Sequence, residues 1–247
     1  MLLYTKTNSP YSSLQVVGEG SRAVGEKLLR IGFGVLKSLA LPPSSSRGTL
    51  AVSGIYPACA KMICAGLRGG GTNNTSPRVR NVGSFKVRAE GVLGLLVNST
   101  LDCEGRKNVF ADWPLFTKVL TDLITVGKEL GAKLQKWLLM LVRNVCLDKK
   151  KSYVLESPRV LAFVLDNCVG ERAVRGYALQ ALWILLYKSE KAVAAVKRSE
   201  NISKVLGAEA LIVEEQRKGG LIREDGLDDD FLIAKSMDAV TRLMGGV

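Results

Sequence analysis

The side chains with the clearest chemical potential in this chain are basic residues that form two clusters. Grouped cations bind anions, such as nucleic-acid phosphates, an anionic membrane surface or the carboxylates of an acidic protein. The same pattern also fits a solvated lysine-rich face without a ligand. The first cluster contains Arg143, Lys149, Lys150 and Lys151, and the second contains Lys188, Lys191, Lys197 and Arg198.

Two asparagines and a tryptophan are candidates for direct contact with a partner. Asn98 and Asn144 lie 46 residues apart, near the ends of similar apolar segments. An amide can hydrogen-bond the main chain of an extended ligand, or it can brace the loop that follows its own helix. Trp137 precedes Asn144 by seven residues, which predicts one helical face for both. Core packing is the alternative for Trp137.

Catalytic and metal-binding chemistry is sparse in the sequence. The chain has no histidine, which removes Ser-His-Asp and Cys-His nucleophiles and every zinc site that needs imidazole. Its five cysteines include no Cys-x-x-Cys pair, and we expect buried, reduced thiols. The glycine-rich segment at Gly18 lacks the βαβ context of a dinucleotide-binding loop. We therefore expect a protein that is not an enzyme, with no catalytic residue, metal or cofactor.

Composition describes a chain with a sizeable core and an uneven charge. The sequence has 247 residues, of which 47% are hydrophobic, and its net charge is +12. Residues 209–247 carry nine acidic against five basic residues, so a basic body precedes an acidic tail. No apolar run reaches the ~18 to 20 residues of a membrane span, and the start lacks a signal-peptide core. These features predict a cytoplasmic protein without a membrane span.

A repeated sequence pattern indicates how the candidate residues are positioned. A lysine, an apolar group, a short polar stretch and an apolar helical stripe occur three times, with starts 44 and 40 residues apart. A period of about 40 to 47 residues is typical of helical repeats that bury their apolar faces by stacking. The copies are KNVFADWPLFTKVL from Lys107, KSYVLESPRVLAFVL from Lys151, and KAVAAVKRSENISKVL from Lys191.

The same unit is visible in the segments that precede the copies. Each copy follows an apolar helix, and Pro114 and Pro158 fall near the first turn of equivalent helices, where a missing N–H costs little. No alternating strand pattern of useful length occurs, so we predict an all-α class. Stacking should also align the inter-helix turns, and with them the basic clusters, along one edge. Breaks between helices are predicted near 103–107, 127–131, 147–151, 170–171 and 189–191.

The chain divides into four predicted regions. Residues 1–20 are a flexible N-terminus, and residues 21–80 are a helical region that includes a surface loop at 68–81. Residues 82–208 contain the repeats. Residues 209–247 are an acidic region whose last helix caps the array or docks on another molecule.

Two segments carry a resemblance to known families. The sequences LQKWLLMLVRNVCLDKKKSYVLESPRVLAFVL and ALQALWILLYKSEKAVAAVKRSENI resemble armadillo repeats, which implies an armadillo-like α-solenoid over residues 84–207. Residues 134–202 also resemble the C-terminal region of rotatin-type proteins, large armadillo-like proteins of centrioles and ciliary basal bodies. Import adaptors of the armadillo type use Trp-x-x-x-Asn, but Leu141 follows Trp137 at that spacing. Neither resemblance implies a catalytic residue.

These observations predict a non-catalytic scaffold that binds acidic or extended protein segments. Asn98, Asn144 and Trp137 would contact the partner segment, while the basic edge steers it. The resemblance to rotatin-type proteins implies a centriole or basal-body setting. The alternative is a nucleic-acid-binding repeat protein whose positive stripe follows phosphates.

Overall fold

The computed structural model describes Ile63, residues 82–198, Gly207, Ala210 and residues 213–215, 217–219 and 229–245. Regular structure in these residues is helical, and none of them belongs to a β-strand. The all-α prediction is therefore confirmed for this part of the chain. The predicted N-terminal regions 1–20 and 21–80, with the loop 68–81, lie outside the described residues except for Ile63, which is buried.

Between residues 82 and 197 the helices follow one another with short connections. A single 3-10 turn, Lys149–Lys151, precedes the fifth of them. Their bounds are α1 (Val82–Thr100), α2 (Cys103–Ala111), α3 (Trp113–Leu130), α4 (Ala132–Val145), α5 (Ser152–Leu155), α6 (Pro158–Cys168), α7 (Arg172–Leu186), α8 (Glu190–Lys197) and α9 (Asp229–Leu243).

Polar side chains and prolines explain where several helices begin. The Asp102 carboxylate accepts a hydrogen bond from the N–H of Glu104, 2.8 Å away, at the start of α2. The Ser189 hydroxyl accepts one from Ala192 at 3.3 Å at the start of α8. These caps satisfy N–H groups that have no partner inside their own helix. The prolines predicted for the first turns of equivalent helices, Pro114 and Pro158, open α3 and α6.

The apolar helices pack side by side in a row. Helix α1 contacts α4, α4 contacts α7, and α7 contacts α9. On one side of the row, α3 packs against α4 and α6 packs against α7, while α3 and α6 also contact each other. Each helix of the row thus buries its apolar stripe between neighbours rather than in a separate core.

The centre of the row is α4 and α7, whose leucines are shielded from water. Leu134, Leu138 and Leu139 on α4 have no exposed surface. Leu179 and Leu182 on α7 have no exposed surface either. Burial of one such side chain contributes roughly 1.5 to 3 kcal/mol, so the row accounts for a large share of the stability of this region.

Two predictions for this region need correction, one about a break between helices and one about the burial of the cysteines. A break was expected at 103–107, but α2 begins at Cys103, because the Asp102 cap starts the helix directly after Thr100–Leu101. Burial was expected for the cysteines, yet Cys103 is exposed. Cys146 and Cys168 are buried, and burial raises the pKa of the Cys146 thiol to about 12. Cys59 and Cys64 lie outside the described residues.

A close approach between α1 and α2 makes Gly105 sensitive to substitution. A β-carbon at this position would lie 2.1 Å from the backbone oxygen of Ser99, which cannot move aside as a side chain can. We expect Gly105→Ala to lower the free energy of unfolding by about 2 kcal/mol through overpacking, measured by urea denaturation. Gly207→Ala is the control, because a β-carbon there would meet no atom within 4 Å beyond its chain neighbours and the nearby backbone of its own helix. Equal stability of the two variants would contradict this packing.

Candidate interaction surface

Hydrogen bonds between neighbouring turns show that α1, α4 and α7 run in the same direction and end at one edge. Asn144, near the end of α4, donates to the Val97 carbonyl oxygen near the end of α1 at 2.9 Å. Lys151, in the turn after α4, donates to the Ile184 carbonyl oxygen near the end of α7 at 3.0 Å. The turns that follow these three helices are therefore neighbours. We call this surface the turn edge, made of residues 101–102, 146–151 and 187–189.

Asn144 lies inside the protein, between two helices. It has no exposed surface, and its amide nitrogen donates to Val97 O and, at 3.3 Å, to the Thr100 hydroxyl. Its oxygen accepts from Nε and Nη2 of Arg143 at 3.1 and 2.9 Å. These internal bonds use the whole amide, so in this conformation Asn144 offers no atom to a partner. Asn144 therefore braces α1. It does not brace the loop that follows its own helix, which was the alternative role predicted from the sequence.

Arg143 extends the same connection to α7. Its Nη1 donates to the Gln180 side-chain oxygen at 2.9 Å, and burial lowers the pKa of its guanidinium. We call Thr100, Asn144, Arg143 and Gln180 the polar bridge, because they join α1, α4 and α7 through side chains. Arg143 is half-buried and neutral oxygens hold it. Its charge therefore adds to the positive potential near the turn edge while its donors serve the fold.

Lys151 is also committed to the structure. Its ammonium donates to the carbonyl oxygens of Ile184 and Tyr187, which lack helical partners at the end of α7. Partial burial lowers the pKa of this amine. A cation at a helix C-terminus also interacts favourably with the helix dipole. Lys151 thus fastens the turn after α4 to the turn after α7.

Lys149 and Lys150, which precede Lys151 in the same turn, are exposed. The Lys150 ammonium lies 5.9 Å from the centre of the Phe110 ring, a cation–π contact. Phe110 in turn packs on Trp113 and Tyr153, with ring centres 5.2 and 6.0 Å away. Among the described residues, neither lysine forms an ion pair with a carboxylate. Both cations are available at the surface.

The turn after α7 continues the basic surface. Lys188 is exposed, and its ammonium lies 5.3 Å from the centre of the Tyr187 ring, which Lys151 approaches at 5.9 Å. Lys191 is exposed on the first turn of α8. We call Lys149, Lys150, Lys151, Lys188 and Lys191 the basic edge. Contact between Lys151 and Tyr187 brings its two halves together.

The remaining candidate contact residues, Trp137 and Asn98, are not fully exposed. Trp137 is partly buried and packs against the core, and Asn98 is also partly buried. Asn98 lies between Val97 and Thr100, two residues of α1 that Asn144 contacts. Direct contact of Asn98 and Trp137 with a partner stays a prediction.

Sequence reasoning missed two features of this region. Large apolar side chains protrude from the turn edge at Leu101, Leu147 and Tyr187, although hydrophobicity alone predicts burial. Their similar position, one or two residues after equivalent helices, is the signal that could have identified them. A groove of about 540 Å³ also opens between α3 and α6, lined by Trp113, Thr117, Thr121, Tyr153, Glu156, Ser157, Pro158 and Arg159.

Two classes of site find no support in the described residues. No group of three or more cysteine, aspartate and glutamate side chains in that part of the chain could hold a metal ion. None of the helices described here combines the length and the apolar character needed to span a bilayer.

Removal of the Asn144 amide should weaken the joint between α1 and α4. We expect Asn144→Ala to lower the free energy of unfolding by about 2 kcal/mol, because two donors of Arg143 lose their buried acceptor. Asn108→Ala is the control, since Asn108 donates to the Glu104 carbonyl oxygen within its own helix and does not belong to the polar bridge. Urea denaturation measures both variants. A loss no larger than that of Asn108→Ala would contradict the bridging role.

The backbone of Lys188 predicts an effect that is independent of its charge. Its φ angle is 53°, in the left-handed region, where a β-carbon costs roughly 1 to 2 kcal/mol. Lys188→Ala keeps the β-carbon and Lys188→Gly removes it, while both lose the ammonium group. We expect the glycine variant to be more stable than the alanine variant by about 1 kcal/mol in thermal unfolding. The reverse order would show that the turn is not strained.

Comparison with known proteins adds no relative to this geometry. No protein-family model, no curated protein and no solved structure is significantly similar to this chain.

Proposed function

We propose that this chain is an armadillo-like α-solenoid that acts as a non-catalytic protein-interaction scaffold, with the basic edge as its binding surface for acidic protein segments. The observation that carries the proposal is the alignment of two lysine-bearing turns, joined by Lys151, at the same ends of parallel helices. Cations that recur along a stack of helices form a continuous surface, which suits an elongated ligand better than a small molecule.

The helix arrangement supports the solenoid part of the proposal. Helices α1, α4 and α7 succeed one another at intervals close to the sequence repeat, and α3 and α6 form a second layer beside them. Helix α9 packs against α7, and Ile233, Met237 and Val240 on α9 are buried. A helix that covers the apolar face of a neighbouring helix resembles the caps of such arrays.

Electrostatics explains how the surface would select its partner. Lys149, Lys150, Lys188 and Lys191 are exposed, and among the described residues they have no carboxylate in ion-pair contact. Exposed cations of this kind raise the association rate of acidic partners and set their orientation, while they add little affinity individually. Binding should therefore weaken as ionic strength rises.

A second candidate function is binding of single-stranded nucleic acid. It is favoured by the half-exposed Tyr187 ring between Lys151 and Lys188, because bases stack on aromatic rings while lysines contact phosphates. Against it, Tyr187 and Tyr153 are the only large aromatic side chains of the described residues with high exposure. The resemblance of residues 134–202 to rotatin-type proteins supports the scaffold and a cytoplasmic setting at the centriole or basal body.

Charge reversal tests the proposal. We expect the tagged chain to retain protein partners after nuclease treatment of a lysate, and to lose them when Lys149→Glu and Lys150→Glu are combined. A loss of at least ten-fold in recovered partner, quantified by mass spectrometry, is expected from reversing two cations in one surface. Recovery should also fall as salt is raised from low to moderate ionic strength.

The control combines Lys86→Glu with Lys218→Glu, which changes the net charge equally at exposed positions outside the turn edge. Circular dichroism of both variants checks that the helices persist. Equal loss of partners in both variants would reduce the effect to net charge and contradict a defined binding edge. Loss of every partner upon nuclease treatment would instead support nucleic-acid binding.

A further inference from the structure

The turn edge carries three exposed apolar side chains in addition to its cations, and we call them the apolar row. Leu101, Leu147 and Tyr187 are 39%, 49% and 49% exposed, and each lies one or two residues after the end of α1, α4 or α7. Exposed leucines occur singly on many surfaces, but here the exposed apolar side chains recur at equivalent ends of three adjacent helices. The apolar row and the basic edge therefore belong to the same surface.

Helix packing sets the spacing of the apolar row. Axes of packed helices are separated by about 8 to 10 Å, and hydrogen bonds tie each of these helix ends to the next. A polyproline II chain advances about 3.1 Å per residue and completes a turn every three residues, or roughly 9 Å. Side chains at every third position of such a chain point in one direction. Their spacing matches the spacing of the helices.

The cations specify the residues between these anchors. Lys149 and Lys150 follow Leu147 and Asp148 in the chain, and Lys188 follows Tyr187. The Asp148 carboxylate accepts a hydrogen bond from the Lys150 backbone N–H at 2.9 Å. Within the part of the chain that the structure describes, none of these three ammonium groups forms an ion pair with a carboxylate. A ligand that places apolar groups on the row must set its intervening residues beside the lysines. Acidic residues there would complement both surfaces.

We propose that the turn edge binds an extended, polyproline II-like segment of a partner protein in which apolar residues recur at every third position and acidic residues lie between them. This inference rests on the proposed scaffold function and adds the conformation and the register of the ligand. Leu101, Leu147 and Tyr187 receive the successive apolar side chains. The basic edge contacts the carboxylates.

The preformed conformation of the ligand matters for the affinity of so shallow a surface. The row offers protruding side chains and no deep pocket, so little energy is available to order a flexible chain. A segment that already favours the polyproline II conformation loses less entropy on binding. Partner segments rich in proline, with regularly spaced leucines and glutamates, should therefore bind best.

Two synthetic peptides of equal composition test the register. The first contains four Leu-Glu-Pro triplets, and the second contains four Leu-Pro pairs followed by four glutamates. Both carry a fluorescein label, and fluorescence anisotropy measures their affinity for the full chain at moderate ionic strength. We expect the triplet peptide to bind about ten-fold more tightly, because only its leucines match the helix spacing. Equal affinity would overturn the proposed register.

Variants of the chain separate this inference from the function on which it rests. Leu147→Ser should weaken binding of the triplet peptide several-fold, while Val169→Ser should not change it. Val169 is similarly exposed, at 38%. It follows α6 and lies near the start of α7, at the ends of the helices opposite to the turn edge. The combination of Lys149→Glu and Lys150→Glu should weaken both peptides.

The outcomes point to different failures. If only the lysine variant affects binding, the edge selects acidic ligands by charge and the apolar register is wrong. If neither peptide binds, the inference is also overturned, and the lysate experiment alone decides the scaffold function.

Discussion

The side-chain amide of Asn144 has no contact with solvent, so both of its ends must find partners inside the protein. Its donors reach α1 and its oxygen holds Arg143, which reaches α7. Apolar packing between helices tolerates small shifts along their axes, whereas a buried amide tolerates almost none, because a lost hydrogen bond there is not replaced by water. The polar bridge thus selects one register for three helices whose leucine surfaces would accept several.

That register has an electrostatic consequence at the turn edge. Parallel helices that end together bring their unsatisfied carbonyl groups and the negative ends of their dipoles to one side. Arg106 compensates for the unsatisfied carbonyl groups at the end of α1, where it donates to the carbonyl oxygens of Thr100 and Leu101. Lys151 does the same at the end of α7. Cations are therefore needed at this edge for stability. The exposed lysines beyond them exceed that need, and this excess makes the edge a candidate for binding.

Local sequence signals predicted the elements better than the site. Pro114, Pro158 and the apolar stripe of each helix depend on neighbours within one helix, and the structure has helices at those places. The roles of Asn144 and Lys151 depend on residues 44 and 36 positions away, which no local pattern reports. From the sequence, Asn144 could contact a ligand or brace the loop after its own helix, and Lys151 belonged to a cluster of surface cations. Only the packing of adjacent helices shows that Asn144 is internal and that Lys151 caps a neighbouring helix.

The exposed apolar side chains and the exposed lysines of the turn edge would contribute to different steps of binding. Charges attract over about a Debye length, roughly 8 to 10 Å in physiological salt, and so act before contact, mainly on the association rate. Leucine and tyrosine gain energy only when a partner covers them, which slows dissociation. A surface with lysines alone would bind acidic chains briefly and without register. Leu101, Leu147 and Tyr187, at intervals set by helix packing, supply the positional requirement that charge cannot.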